Sequence, residues 1–190
     1  MYEVISMQPD NFITTYTKRR FSPHNPVAED IDIRDIAHAL SLICRANGHF
    51  TRFFSVARHC INCCLEGRAR GETGKVLPAL LLHDACEAYI SDVTRPVKLG
   101  LPDYVKAEKR MQSAIWKKFE ITPTDSIMKI VGEIDDMMLK LEFEEFAGET
   151  VRIKTCPPAI RPDFGVKAFG EDEREFLALF KEITGGARAT

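Results

Sequence analysis

The stretch LPALLLHDACEAYISD, residues 77–92, decides how this chain is read. Advancing about 100° per residue from Leu77, as along a helix, brings Leu81, Asp84 and Ala88 into one narrow stripe with it. A carboxylate therefore falls in the middle of the face that packing should bury. His83 and Glu87 share one flank of that stripe as an i, i+4 pair. A lone ionised aspartate is costly to bury, so it needs a cationic partner or a metal. Two readings follow. Asp84 caps or salt-bridges another helix while His83 is an ordinary core histidine, or the His, Asp and Glu form part of a metal or catalytic site.

Outward from this stretch, the period stays helical. Ile33, Ile36, Ala37, Leu40, Ile43 and Cys44 follow i, i+3, i+4, i+7 spacing, with Asp32 as N-cap. A second helix is expected from Ser55, with Val56, Cys60, Cys63 and Cys64 on one stripe, and with Gly67, Gly71 and Gly74 breaking it. The third runs from Lys75 to Ile90, and Pro78 is tolerated in its first turn. SDVTRPVKLGLP reads as a loop. A fourth helix opens at Pro102 and Asp103 and continues through Phe119; a fifth is capped by Thr124 or Asp125 and reaches Phe146. Pro157, Pro158, Pro162 and Gly165 mark a loop before an amphipathic helix carrying Phe176, Leu177, Phe180 and Ile183. Residues 1–30 form an irregular lead-in with Pro9, Pro23 and Pro26, in which FITTYTKRRF is extended. The expected fold class is all-α, one domain over residues 1–190.

Two more residues join the first cluster. His59 sits on the apolar flank of the second helix, within one turn of Val56 and Cys63. On the fifth helix Val131, Ile134 and Met138 follow Ile127 on the buried stripe. Asp135 borders that stripe, whereas Asp136 points away and is expected to be solvated. Asp135 could thus meet His59, His83 and Asp84. Two imidazoles and two carboxylates suit Zn²⁺, Mn²⁺, Co²⁺ or Fe²⁺.

A histidine, an adjacent His-Asp pair on the next helix and a distant aspartate resemble the HD-domain metal-dependent phosphohydrolases. DIDIRDIAHALSLICRANGH, FFSVARHC, LLHDACEAYISDVTRPVK and EIDDMMLKLE each resemble stretches of the small HD hydrolases related to bacterial and phage 5′-deoxynucleotidases. The similarity covers a core at about 28–146 and leaves a C-terminal extension, 147–190. The resemblance implies an HD-domain helical bundle holding one divalent metal ion on His59, His83, Asp84 and Asp135. It implies Glu87 as the catalytic glutamate and Asp92 as a second acidic catalytic residue near the leaving group, holding the sugar or protonating the departing oxygen. Arg45 and Lys98 would be substrate contacts, with Arg45 on the phosphate. Next to Arg45 the monophosphatases usually carry a tryptophan, where this chain has Ala46. The activity so implied is dephosphorylation of deoxynucleoside 5′-monophosphates. The alternatives are a deoxynucleoside triphosphate hydrolase, acting in one step or stepwise, and a non-catalytic metal- or nucleotide-binding module. The resemblance also implies a homodimer.

Among the remaining candidates, His49 in its Gly-His turn is a further substrate contact, while His38 is expected to pack or hydrogen-bond. HCINCC, residues 59–64, has C-x-x-C spacing, but no second ligand pair follows, so its cysteines read as core. EFEEF, 142–146, reads as an acidic solvent face from which Glu142 could turn inward. Trp116 and Phe119 read as core or dimer-interface residues.

Composition sets the outer limits. The chain has 190 residues, 45% apolar and 28% charged, which excludes a disordered polymer. A net charge of −2 gives no global basic field, so no nucleic-acid polymer is expected as partner. No apolar run is long enough to span a bilayer, and the first residues lack the pattern of a secretory signal. Six cysteines in this length read as reduced thiols in a cytoplasmic protein.

Overall fold

The computed structural model describes residues 11–185; the start of the lead-in, with Pro9, lies outside them. The architecture is helical, with a two-stranded hairpin of β1 (Ile13–Thr14) and β2 (Arg20–Phe21) at its edge. The helices are α1 (Ile33–Leu42), α2 (Val56–Ala69), α3 (Val76–Leu81), α4 (Glu87–Ile90), α5 (Arg95–Lys98), α6 (Pro102–Lys118), α7 (Asp125–Phe146) and α8 (Glu171–Ile183). Helix α2 runs through the middle, packed by α1, α3, α7 and α8. Cys60, Ile61, Cys63 and Cys64 are fully buried there, among Ile36, Leu40, Leu80, Ile134, Met138 and Phe176.

Side-chain oxygens fix where helices begin. Asp32 Oδ1 accepts from the Arg34 amide at 2.9 Å, Ser55 Oγ from Arg58 at 2.9 Å, and Thr124 Oγ1 from Ile127 at 3.4 Å. Each supplies an acceptor for an amide that the helix itself leaves unpaired. Trp116 and Phe119 are buried, the latter edge-on to Phe180. The hairpin is tied to α1 by Asp35, which accepts from the Thr17 amide at 2.6 Å and from its hydroxyl at 2.9 Å.

Four local expectations need correction. Helix α1 stops at Leu42, because Ile43 is extended and pairs with the chain before α2: Val56 N donates to Ile43 O at 3.0 Å and Arg45 N to Phe54 O at 2.8 Å. Gly67 does not end α2 but lies inside it, where a Cβ would stand 2.3 Å from Leu80 Cδ1; glycine is what lets α3 approach. The third helix is not continuous, since α3 ends at Leu81 and regular structure resumes at Glu87. The loop after it contains a single turn, α5, begun by Pro96 in its first turn.

The interruption of the third helix has a partner outside it. Gln112 of α6 donates from Nε2 to Leu82 O at 2.8 Å and accepts at Oε1 from Cys86 N at 3.1 Å. One side-chain amide thus meets a carbonyl and an amide at the break. His83 and Asp84 lie within this turn.

A candidate metal centre beside a charged cavity

His59 comes from the buried middle of α2, His83 and Asp84 from the turn after α3, and Asp135 from α7. His59 Nε2 lies 3.2 Å from His83 Nε2, 3.2 Å from Asp135 Oδ1 and 3.7 Å from Asp84 Oδ2. His83 Nε2 lies 3.4 Å from Asp84 Oδ2 and 3.8 Å from Asp135 Oδ1. The interruption of the helix explains the burial. Asp84 is not in mid-stripe; its side chain is 21% exposed and turned to a cavity, whereas Glu87, expected on a flank, is buried.

Both imidazoles have their other nitrogen engaged. His83 Nδ1 donates to Leu80 O at 2.8 Å, and His59 Nδ1 donates to Glu142 Oε1 at 2.5 Å. With Nδ1 protonated on each ring, two Nε2 lone pairs face one another and two carboxylates. Such a gathering of electron pairs calls for a proton or a cation between them. Burial and Arg45 both oppose charging of His59, yet Glu142 and Asp135 outweigh them and push its pKa up. Burial likewise opposes His83, and Asp84 leads the groups that drive it well above the usual imidazole value. Burial would raise Asp135, but hydrogen bonds from His59 and His83 hold it well below the carboxylate range.

Three of the five separations, 3.2, 3.2 and 3.4 Å, match those of donors sharing a metal, and the other two, 3.7 and 3.8 Å, are wider. Donors about 2.1 Å from a common ion stand roughly 3.0–3.4 Å apart at right-angled or tetrahedral geometry. Two sulfur-containing sets overlap this one: His59, Cys63 and His83, and Cys60, His83 and Asp84, each with donor atoms within 4.8 Å of one another. Cys63 Sγ is 3.7 Å from His59 Nε2. Burial pushes the Cys63 thiol well up and Cys60 up to about 11, so each would have to shed a tightly held proton to ligate. Asp135 needs no such step. The nitrogen and oxygen set is the readier one.

Glu142 is the main support. It is fully buried and bonds His59 on one oxygen and Arg45 on the other, accepting from Nε at 3.3 Å and Nη2 at 3.1 Å. Burial would raise its pKa, and Arg45 and His59 more than reverse that. Arg45 Nη1 reaches within 3.5 Å of Asp84. Arg45 therefore links two acids rather than standing as a free phosphate fork, though it remains on the cavity wall. It is held beside Ala46 and Asn47, both left-handed at φ near 50°.

The cavity adjoins the cluster and measures about 430 Å³. Arg45, Asp84, Glu87, Asp92, Lys98 and Asp135 all line it; His49 is exposed and does not. Glu87 Oε2 has no hydrogen-bond partner among the described residues. Burial, then the charges of Asp84 and Asp92, raise the Glu87 pKa well above the usual carboxyl range. Asp92 is raised too, by burial first and by Asp84, against Arg45 and Lys98. Lys98 donates to Glu108.

Arg95 was not foreseen. It lines the cavity and donates to Asp135 Oδ2 at 2.8 Å and Asp136 Oδ1 at 2.7 Å. The two aspartates thus do not part company fully: Asp135 reaches both imidazoles, Asp136 does not, and one guanidinium holds both. Glu142 was half legible from its position seven residues after Asp135 on the same helix face; Cys63 lies one turn after His59.

Mostly helical, with a cluster of possible metal ligands at the base of a cavity, the molecule is defined by that site. No family model matches it. It is 36% identical over 121 residues to the Escherichia coli K12 protein "Uncharacterized protein YfdR", covering 61% of this chain and 62% of that one. It is 33% identical over 138 residues to "Uncharacterized protein RCAP_rcc00048" of Rhodobacter capsulatus, covering 68% of this chain and 70% of that protein. The chain belongs to the family of RCAP_rcc00048.

Proposed function

We propose that this protein is a metal-dependent phosphohydrolase of the HD-domain type acting on nucleotides, with deoxynucleoside 5′-monophosphates as the preferred class. The observation that carries the reading is the approach of the His59 and His83 Nε2 atoms to within 3.8 Å of the Asp84 and Asp135 carboxylates, both of which line a charged cavity. His59, His83, Asp84 and Asp135 would hold one divalent cation, Zn²⁺, Mn²⁺, Co²⁺ or Fe²⁺. When bound, such an ion lowers the pKa of water and polarises a phosphoryl oxygen.

The protein's own groups do the rest. Glu87, buried on the cavity wall beside Asp84, would accept a proton from an attacking water. Asp92, on the same wall, would return one to the departing oxygen. Arg45 and Lys98 supply positive charge on the wall, and Glu142 keeps His59 in the tautomer that offers Nε2. The lining favours a monophosphate over a triphosphate. Its cations are Arg45, Arg95 and Lys98, and each already faces a carboxylate. That leaves little charge for a tetraanion. The inward set of acids also supports an enzyme over a binding module, because Glu87 and Asp92 sit close together on the wall of a cavity that already holds Asp84 and Asp135, more acid than retention of an anionic ligand needs.

The test is metal analysis of the purified protein, then a hydrolysis panel of deoxynucleoside mono- and triphosphates with Mn²⁺, Co²⁺ or Zn²⁺. Phosphate released from monophosphates is the expected outcome. Triphosphate release moves the reading to the alternative. Tight metal with no turnover of any nucleotide leaves a binding module.

A further inference from the structure

Resting on the reading above, we infer that the segment carrying Val151 and Ile153 is the wall of the site that selects a nucleotide over a smaller phosphate ester, by covering the apolar face of its nucleoside. On α7, Leu139 and Phe143 follow Asp135 at intervals of four residues, and both line the cavity. At 1.5 Å per residue they lie about 6 and 12 Å further along the helix from the metal-ligand cluster. Phe50, also on the lining, meets Phe143 edge-on with centroids 5.3 Å apart. The cavity therefore has a charged floor and an apolar extension. Helix α7 ends at Phe146, and the chain turns at Gly148 (φ 67°) to deliver Val151 and Ile153 to the same lining.

The segment is built as a wall. Val151 and Ile153 are half-buried and Arg152 and Lys154 are exposed; the Ile153 amide donates to Val151 O at 2.8 Å, a tight turn about Arg152 that leaves both aliphatic side chains on the cavity. Its far end is tied down. The fully buried Glu66 of α2 accepts from the Ala159 amide at 2.8 Å and the Ile160 amide at 3.1 Å. Asn62 exchanges hydrogen bonds with Asp163 at 3.0 and 3.2 Å, and Phe164 packs edge-on to Phe146 at 5.3 Å. Two half-buried aliphatic side chains held against unfilled apolar space gain by covering a flat ring.

The experiment compares thymidine 5′-monophosphate with methyl phosphate on the metal-loaded protein. Val151→Ala/Ile153→Ala should lower the ratio of kcat/KM for the nucleotide over methyl phosphate about tenfold or more, mainly through KM. Arg152→Ser, on the exposed alternate position, should leave the ratio where it was. Ile153→Trp, which fills rather than empties the space, should lower it as well. Matching Tm values establish that the variants are folded. An unchanged ratio in both cavity-facing variants overturns the wall. Nucleotide binding by calorimetry separates the two ideas. A protein that binds thymidine 5′-monophosphate without hydrolysing it, and binds about tenfold more weakly as Val151→Ala/Ile153→Ala, keeps the wall and loses the hydrolase. A protein that hydrolyses both esters with equal efficiency keeps the hydrolase and loses the wall.

Discussion

Asp84 and Glu87 sit three residues apart on the same cavity, yet they face different things. Asp84 stands within 3.7 Å of both Nε2 atoms, and Glu87 presents a buried, unpaired oxygen. Asp84→Ala is therefore expected to abolish metal binding and turnover together. Glu87→Ala should retain metal and lose turnover by at least about a hundredfold, the usual weight of a positioned acid or base. Metal content by atomic absorption beside steady-state rates distinguishes the two; equal metal loss removes the division of roles. Asp135→Asn should likewise cost far more activity than Asp136→Asn, since Asp136 touches Arg95 but neither imidazole. Glu142→Gln tests the support. It weakens the acceptor for His59 Nδ1 and removes the charge that Arg45 faces. Metal affinity measured by chelator competition should fall about 10–100-fold, as for other orienting carboxylates.

At the level of elements, the crossing of α2 and α3 hinges on a residue without a side chain. Gly67→Ala drives a Cβ into Leu80, which is fully buried and has no solvent side to turn toward. A loss of about 1–3 kcal/mol is expected, read as a lowered Tm or denaturant midpoint. The caps, starts and buried stripes of α1, α2, α6, α7 and α8 were legible in the sequence because those signals are local. The break between α3 and α4 was not. Its hydrogen-bond partner is Gln112, thirty residues from Leu82 in sequence, and no local pattern at residues 77–92 announces a donor on another helix. That one miss inverted the expected burial of Asp84 and Glu87. His83 and Asp84 meet His59 at the point where the helix stops, not on a continuous helix that turns them inward.

Across the whole molecule, the site depends on contacts that join distant parts of the chain. Arg58, the neighbour of His59, is completely buried and donates to Asp172 at 2.6 Å and to Glu175, both on α8. Ser55 donates to the same Asp172 at 2.5 Å. The role of the C-terminal extension was unreadable because those partners lie more than a hundred positions from the residues they hold. In the structure it does two things: it locks α2 from behind and lines the cavity from above. Cys63 was likewise read as core, and it is buried, but nothing short of coordinates placed its sulfur near His59 Nε2. Among the described residues, no helix is long and apolar enough to cross a membrane.

Arg58 has a consequence for the order of assembly. A nascent chain that has not yet reached residue 172 carries a guanidinium destined for the interior with no acid to receive it from α8. The buried charge next to His59 is thus fully matched only once α8 is in place. An ion arriving earlier would find scattered donors, unlike the small zinc modules in which the metal organises the chain. Refolding from urea in the presence of a chelator should accordingly restore the same circular dichroism spectrum as refolding with Mn²⁺, and activity should return on later addition of the metal. Folding that requires the ion from the outset would reverse that order.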